Sequence, residues 1–478
     1  MSTARFTGGD LPRGGSFTGA AGTWPVAGVR PRPPRRVALE RATRALLLHA
    51  ETAFAVVGLL LFSQAVVPLL VETADPGNGG GDGYEGNMVL RLMFASIHAT
   101  TLLLLLVHWR SAVAAALRER TAVLLVALAV ASVLWSAAPD ITLRRSFAFL
   151  GTTAFGIFLA ARYDTRTLLR LLAVALGIAA VMSIGFAVAL PSYGVDQGVH
   201  AGAWQGVYTE KNTLGQMMVL AAFAFVLLRP TLRRRWIGTA GALLSVALIL
   251  LSTSKTALTV LVLFVLLAAL FRALRWSYTL AIPVTIGFVL VGGSAALWLV
   301  GNLESALTSL GKDPTLTGRT PMWEVLLRSI SESPWLGYGY AAFWLGREGP
   351  SGKALEAIGW DTPGAHNGYL DLTLQVGLVG LGVFLAGFVV ALARSVHALR
   401  ATRTPDGYWP LTFLTFLLVY NFAETMLLAA NSVFWVLYVA TACSGMLYLR
   451  EGEGTAAAVA GDRSPVTLHR SHRRVVRR

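Results

Sequence analysis

Three short runs set cations beside neutral donors. In "YTEKN", Lys211 and Asn212 follow Glu210; in "STSKT", Ser252 and Ser254 precede Lys255; in "PDITLRR", Arg144 and Arg145 follow a turn at Pro139–Asp140. A lysine among hydroxyls and amides suits a phosphate, as a point charge beside neutral donors. Arg144 and Arg145 open an apolar stretch, where free helix amides add to the attraction for an anion. A fourth run, "TPGAHNGYL", puts an imidazole, His366, where a long polar segment meets a long apolar one. Neutral imidazole, with a reference pKa of ~6.5, accepts a proton near neutral pH; a capping or interfacial histidine is the bland alternative. Glu424, in "NFAET" near Asn421 and Asn431, is a carboxylate near the end of an apolar run. Intramembrane carboxylates bind substrate or join buried polar networks, and both are open for Glu424.

The elements that must hold these residues are membrane helices. Of 478 residues, 55% are hydrophobic and 14% charged, against ~45–50% and roughly 25% in soluble domains. Apolar runs of about 18 to 25 residues match a bilayer crossed at 1.5 Å per residue, whereas a barrel needs short alternating segments. The reading is an all-α polytopic membrane protein with about twelve spans: 45–71, 88–108, 121–138, 145–161, 167–190, 213–229, 236–253, 255–271, 278–300, 367–393, 409–428 and 430–449. Arg91 and His98 weaken the second, and the seventh and eighth are short and separated only by "TSK". Residues 1–44 and 450–478 read as disordered basic tails, and 301–366 as one large loop between spans nine and ten. The lone Cys443 lies in an apolar run, so no intrachain disulfide or Cys metal cluster forms.

The net charge of +15 does not mark a nucleic-acid binder, because the basic residues sit in short loops and tails. "RSAVAAALRER", "ARYDTRTLLR", "RPTLRRRW", "FRALRW" and "ARSVHALRATR" fall on the side of both termini, which the positive-inside rule makes cytoplasmic. The opposite face is poor in cations except Arg144, Arg145, Lys211, Lys255 and, in the loop 301–366, Lys312, Arg319, Arg328, Arg347 and Lys353. Snorkelling explains any one of them, but less well the repetition at four helix ends. That pattern points to an anionic ligand outside. The loop also carries "TGRTPMWEVLLRSISESPWLGYGYAAFW". Pro321 to Ser333 predicts a helix with Met322, Val325, Leu326 and Ser329 on one face, ending before Pro334. With the aromatic turn after it, this helix is expected along the membrane surface, either stacking on sugars or forming an interfacial belt.

The ordered set "SVLWSAAPDITLRR", "YTEKNTLGQ", "STSKTAL", "TGRTPMWEVLLRSISESPWLGYGYAAFW", "HNGYLDLTLQVGLVG" and "NFAETMLLAANSVFW" resembles the O-antigen ligase and polymerase superfamily, most like its exopolysaccharide-polymerase branch. The likeness covers about residues 120 to 450. It implies a metal-independent, cofactor-free glycosyltransferase at the outer face of the bacterial inner membrane. Donor and acceptor would be lipid-linked oligosaccharides on undecaprenyl diphosphate, with a flippase and a chain-length regulator as candidate partners. By motif match, His366 takes the acceptor-activating role and Arg319 that of the loop arginine; Arg144 or Arg145 supplies a second arginine. Lys255 stands where relatives often carry Arg or Lys. Glu210 departs from the pattern, replacing a histidine that often precedes Lys-Asn. Asn367 would orient substrate or loop backbone. A ligase, with another glycan as acceptor, is the alternative; a transporter is less well supported, since no inverted repeat is visible.

Overall fold

The computed structural model describes residues 35–65, 67, 70, 87–198, 200–276, 279, 319–359, 362, 364–402 and 404–444. Residues 1–34, the C-terminal basic tail, nearly all of the ninth predicted span and the loop as far as residue 318, with Lys312, lie outside them; residues 35–44, read from the sequence as disordered, are instead helical. Among the described residues the regular structure is helical, with one isolated antiparallel bridge between Val195 and Trp204. Residues up to Glu51 form a unit of their own that contains the first turns of α1 (Arg35–Phe62). The second unit starts at Thr52 and holds the core.

Every predicted span other than the ninth carries a helix. After α1 come α2 (Met88–Val107), α3 (Trp109–Arg118), α4 (Arg120–Ala131), α5 (Pro139–Arg162), α6 (Thr165–Ala189) and α7 (Lys211–Leu228). Then follow α8 (Arg235–Leu251), α9 (Lys255–Trp276), α10 (Arg319–Glu332), α11 (Gly352–Ile358), α12 (Gly368–Ala401), α13 (Trp409–Tyr420) and α14 (Val433–Ser444). Among the described residues six helices, α1, α2, α6, α7, α9 and α12, are long and apolar enough to cross a membrane. The starts have local causes: Asn87 caps α2, Asp164 caps α6, and Pro139 with Asp140 opens α5. α1 stops at Phe62 rather than at 71, because Ser63 Oγ bonds the Leu60 carbonyl and Gln64 turns left-handed (φ 64°). The basic loop "RSAVAAALRER" is mostly helix α3.

Burial sorts the bundle. The apolar window of α7 is 61% buried and that of α2 only 17%, so α7 is inner and α2 turns Leu102, Leu103 and Leu106 outward, as lipid allows. α7 packs against α6, α8 and α9; α5 packs against α2 and α14. Gly156 on α5 lets α14 come close, since a Cβ there would lie 2.9 Å from the Val436 carbonyl oxygen.

One break in this pattern matters for the site. α12 runs through Gly377 at φ 68°, ψ −173°, which no helix accommodates. The ladder groups freed there bond the turn after α10 instead. Leu374 and Gln375 carbonyls accept from Tyr338 N (2.8 Å) and Gly339 N (3.0 Å), while Leu378 N and Val379 N donate to Pro334 O (2.8 Å) and Trp335 O (3.2 Å). Buried backbone groups are thus satisfied by exchange. The turn after α4 braces the other side: Tyr340 N donates to Ser132 Oγ (2.9 Å), Thr142 Oγ1 to Tyr340 O (2.9 Å) and Ala137 N to Tyr338 O (2.9 Å). The aromatic turn is therefore largely built into the bundle, not spread along a surface. Tyr340 and Phe343 are buried, whereas Trp335 is exposed. The buried face of α10, Met322, Leu326 and Ser329, also packs on protein.

Gly377→Ala is expected to lower the thermal unfolding midpoint. A Cβ would strike the Trp335 carbonyl, and a left-handed alanine adds strain of about 1–3 kcal/mol. An unchanged midpoint in the same detergent would mean that the kink is not required.

Candidate active site

His366 sits just before α12 in a left-handed conformation, φ 48°. Two neighbours fix that backbone. Asn367 caps α12, its Oδ1 accepting from Tyr369 N (3.0 Å) and Leu370 N (3.2 Å) in the first turn of the helix. Asp371, one turn into α12 and 1% exposed, accepts from Ala365 N at 3.0 Å, from the Trp344 indole at 2.7 Å and from the Thr425 hydroxyl. A single carboxylate thus ties the residue before His366 to the residue after Glu424, and both to the aromatic turn.

The tie brings His366 and Glu424 together. Nδ1 lies 3.4 Å from Glu424 Oε2, with 28% of the imidazole and 14% of the carboxylate side chain exposed. Nε2 faces Thr362 Oγ1 at 3.5 Å, and that hydroxyl donates to the Gly364 carbonyl at 2.9 Å. Glu424 Oε1 accepts from Asn212 Nδ2 at 3.4 Å, and Asn212 Oδ1 accepts from Ser254 Oγ at 3.0 Å. Lys211 and Lys255 open α7 and α9 beside these two residues and lie within electrostatic range of each other, and Lys211 also within range of Asp196.

Glu210, the departure from the family pattern, faces the same mouth. Desolvation pushes its carboxyl above the ordinary value, an effect that water weakens because the residue is exposed; Glu424 and Asp196 push it the same way, and His366 opposes. A carboxyl raised by folding favours the folded state below its unfolded pKa, and that contribution is lost as pH rises through the raised value. Glu210→Gln should therefore raise the thermal midpoint relative to wild type at about pH 8 and do so less at about pH 4. Equal differences at both pH values would contradict this.

Arg144 and Arg145 lie in the second turn of α5, which starts at Pro139, so the free amides at its N-terminus are not theirs, contrary to the expectation from the sequence. Both line a cavity of about 760 Å³ that also touches Tyr340, Trp344, Asp371 and Thr425. That volume is in the range of small-molecule sites. The cavity reaches the residues that position His366 and Glu424, although neither of those two lines it. Arg91 and His98 of α2 line it too; the residues that weaken α2 as a span face a cavity. Arg319 begins α10, but its side chain lies outside the described residues. Lys353 pairs with Glu332 at 3.3 Å on the surface.

Asp371 escaped the reading of the sequence, although an acid within an apolar span is a signal in its own right. The partnership of His366 with Glu424, 58 residues apart, had no local signal.

Residues 240–385 match a family model described as O-Antigen ligase. The matched segment includes Lys255, Arg319, His366, Asn367 and Asp371, and leaves out Arg144, Arg145, Lys211, Asn212 and Glu424. The Exopolysaccharide production protein ExoQ of Rhizobium meliloti (strain 1021) is 27% identical over 290 residues, 58% of this chain and 65% of that protein. The chain therefore matches a little under two thirds of that relative's length.

Proposed function

Starting from the O-antigen ligase and polymerase superfamily, which this chain resembles, we propose a membrane glycosyltransferase that joins undecaprenyl-diphosphate-linked repeat units into an exopolysaccharide. It works at the outer face of the inner membrane, with twelve spans, both termini in the cytoplasm and the loop 301–366 outside. A flippase would deliver its substrates and a chain-length regulator would limit its product.

The observation that carries this reading is the juxtaposition of an imidazole rim and an arginine-lined cavity across Asp371 and Thr425. The acceptor hydroxyl gives its proton to His366 as its oxygen bonds the anomeric carbon. The bond from that carbon to the diphosphate oxygen breaks, and its electron pair leaves with the diphosphate. Arg144, Arg145 and Arg319 meet the charge that grows there, which lowers the barrier because the charge is larger in the transition state than before it. Lys211, Asn212 and Lys255 bind polar parts of the substrates on the imidazole side. Attack opposite the diphosphate inverts the anomeric centre.

The ligase reading has its own support, because the family model carries that description. Purified protein supplied with lipid-linked repeat units alone separates the two. A ladder of lengthening chains means polymerase; transfer only after another glycan is added means ligase. No glycosidic bond under either condition would overturn the glycosyltransferase reading.

A further inference from the structure

We infer that Glu424 is the positioning carboxylate of His366: it accepts a hydrogen bond from Nδ1–H, fixes that tautomer, and turns Nε2 toward the acceptor hydroxyl. The inference rests on His366 being the base and assigns the residue that makes it one.

Both oxygens of Glu424 face protein donors rather than open space. Oε2 meets His366 Nδ1 at 3.4 Å, and Oε1 meets Asn212 Nδ2 at 3.4 Å. Asn212 is itself held by Ser254 at 3.0 Å, so the carboxylate is fixed from α7 and α9 as well as from its own loop. Its backbone is fixed too: Glu424 N donates to Tyr420 O at 3.0 Å, and Thr425 reaches Asp371, which grips Ala365. The carboxylate and the imidazole are thus registered by one shared clamp. A sugar-binding carboxylate needs oxygens turned to an open subsite; here each is turned inward. The distances to His366 and Asn212 are long for hydrogen bonds, as is common in active sites before substrate binds.

The chemistry asks for this partner. A neutral imidazole has two tautomers, and only the one protonated at Nδ1 presents a lone pair at Nε2. When Nε2 takes the hydroxyl proton, the imidazolium gains a positive charge that the adjacent carboxylate stabilises. Glu210 shares the electrostatic neighbourhood of His366, but Glu424 faces Nδ1.

Two measurements test the assignment. In kinetics with undecaprenyl-diphosphate-linked repeat units, Glu424→Ala should lower kcat about 10²-fold with little change in KM. Glu424→Asp should recover part of the loss, and Glu424→Gln, isosteric but uncharged, should recover less. Independently of activity, ¹⁵N NMR of histidine-labelled protein, with the His366 signals identified by their loss in His366→Asn, should give the Nδ1–H tautomer in wild type. In Glu424→Ala the populations should shift toward Nε2–H. A wild-type Nε2–H tautomer, or unchanged kcat in both Glu424→Ala and Glu424→Gln, would overturn the pairing. A KM rise at constant kcat would also overturn it, in favour of substrate contact. If His366→Asn keeps full activity, the base assignment itself fails, a result separable from the tautomer measurement.

Discussion

His366→Asn is expected to lower kcat about 10²–10⁴-fold, the range for a lost general base, with KM nearly unchanged. Asparagine suits the test better than alanine. Position 366 is left-handed (φ 48°), and asparagine tolerates that conformation where alanine adds strain. The Asp371 clamp acts through the backbone amide of Ala365 and is untouched by the change. The imidazole and its proton affinity are lost while the loop is kept, so a matching thermal midpoint with lost turnover isolates chemistry from folding. Activity should not vanish, because cations at the leaving group still lower the barrier. Chain growth by a folded variant at the wild-type rate would remove His366 from the mechanism and leave its place at the rim to capping alone.

What the sequence told and withheld follows from the range of each interaction. Helices within the apolar runs were legible because length and apolarity are local, and so were the turn at Pro139–Asp140 and the helix stop before Pro334. The motif runs were legible as separate pieces, and they do meet: Asn212, Ser254, His366 and Glu424 form one connected set. How they meet was not legible. The kink at Gly377 looks like any glycine in an apolar run until the turn 334–339 supplies its hydrogen bonds. Without the kink, the aromatics of that turn read as an interfacial belt; with it, Tyr340 packs in the core and bonds the Leu428 carbonyl at 2.6 Å. The cap that Asn367 gives α12 is a role open to any asparagine that precedes a helix. Glu424 had two readings because its partners lie far along the chain.

Removing Arg145, as Arg145→Met, is expected to cost about 10²–10³-fold in kcat, the effect of deleting one donor at a site of developing charge. Arg144→Met should cost less. Arg145 is half-buried and Arg144 exposed, and an exposed cation is screened by water and salt. Their position on α5 makes the comparison clean: both line one cavity, next to the Asp371 and Thr425 that fix the rim. Arg145→Lys should fall between wild type and Arg145→Met, keeping the charge but not the planar fork that grips a phosphate in two places. Because the leaving diphosphate gains charge only as the glycosidic bond breaks, the loss should appear in kcat more than in KM. The readout is single-turnover transfer from an undecaprenyl-diphosphate donor. Wild-type turnover in a folded Arg144→Met, Arg145→Met double variant would show that neither arginine neutralises the leaving group. The cations left to neutralise it would then include Arg91 in the same cavity, Lys211 and Lys255 at the starts of α7 and α9, and Arg319 at the start of α10.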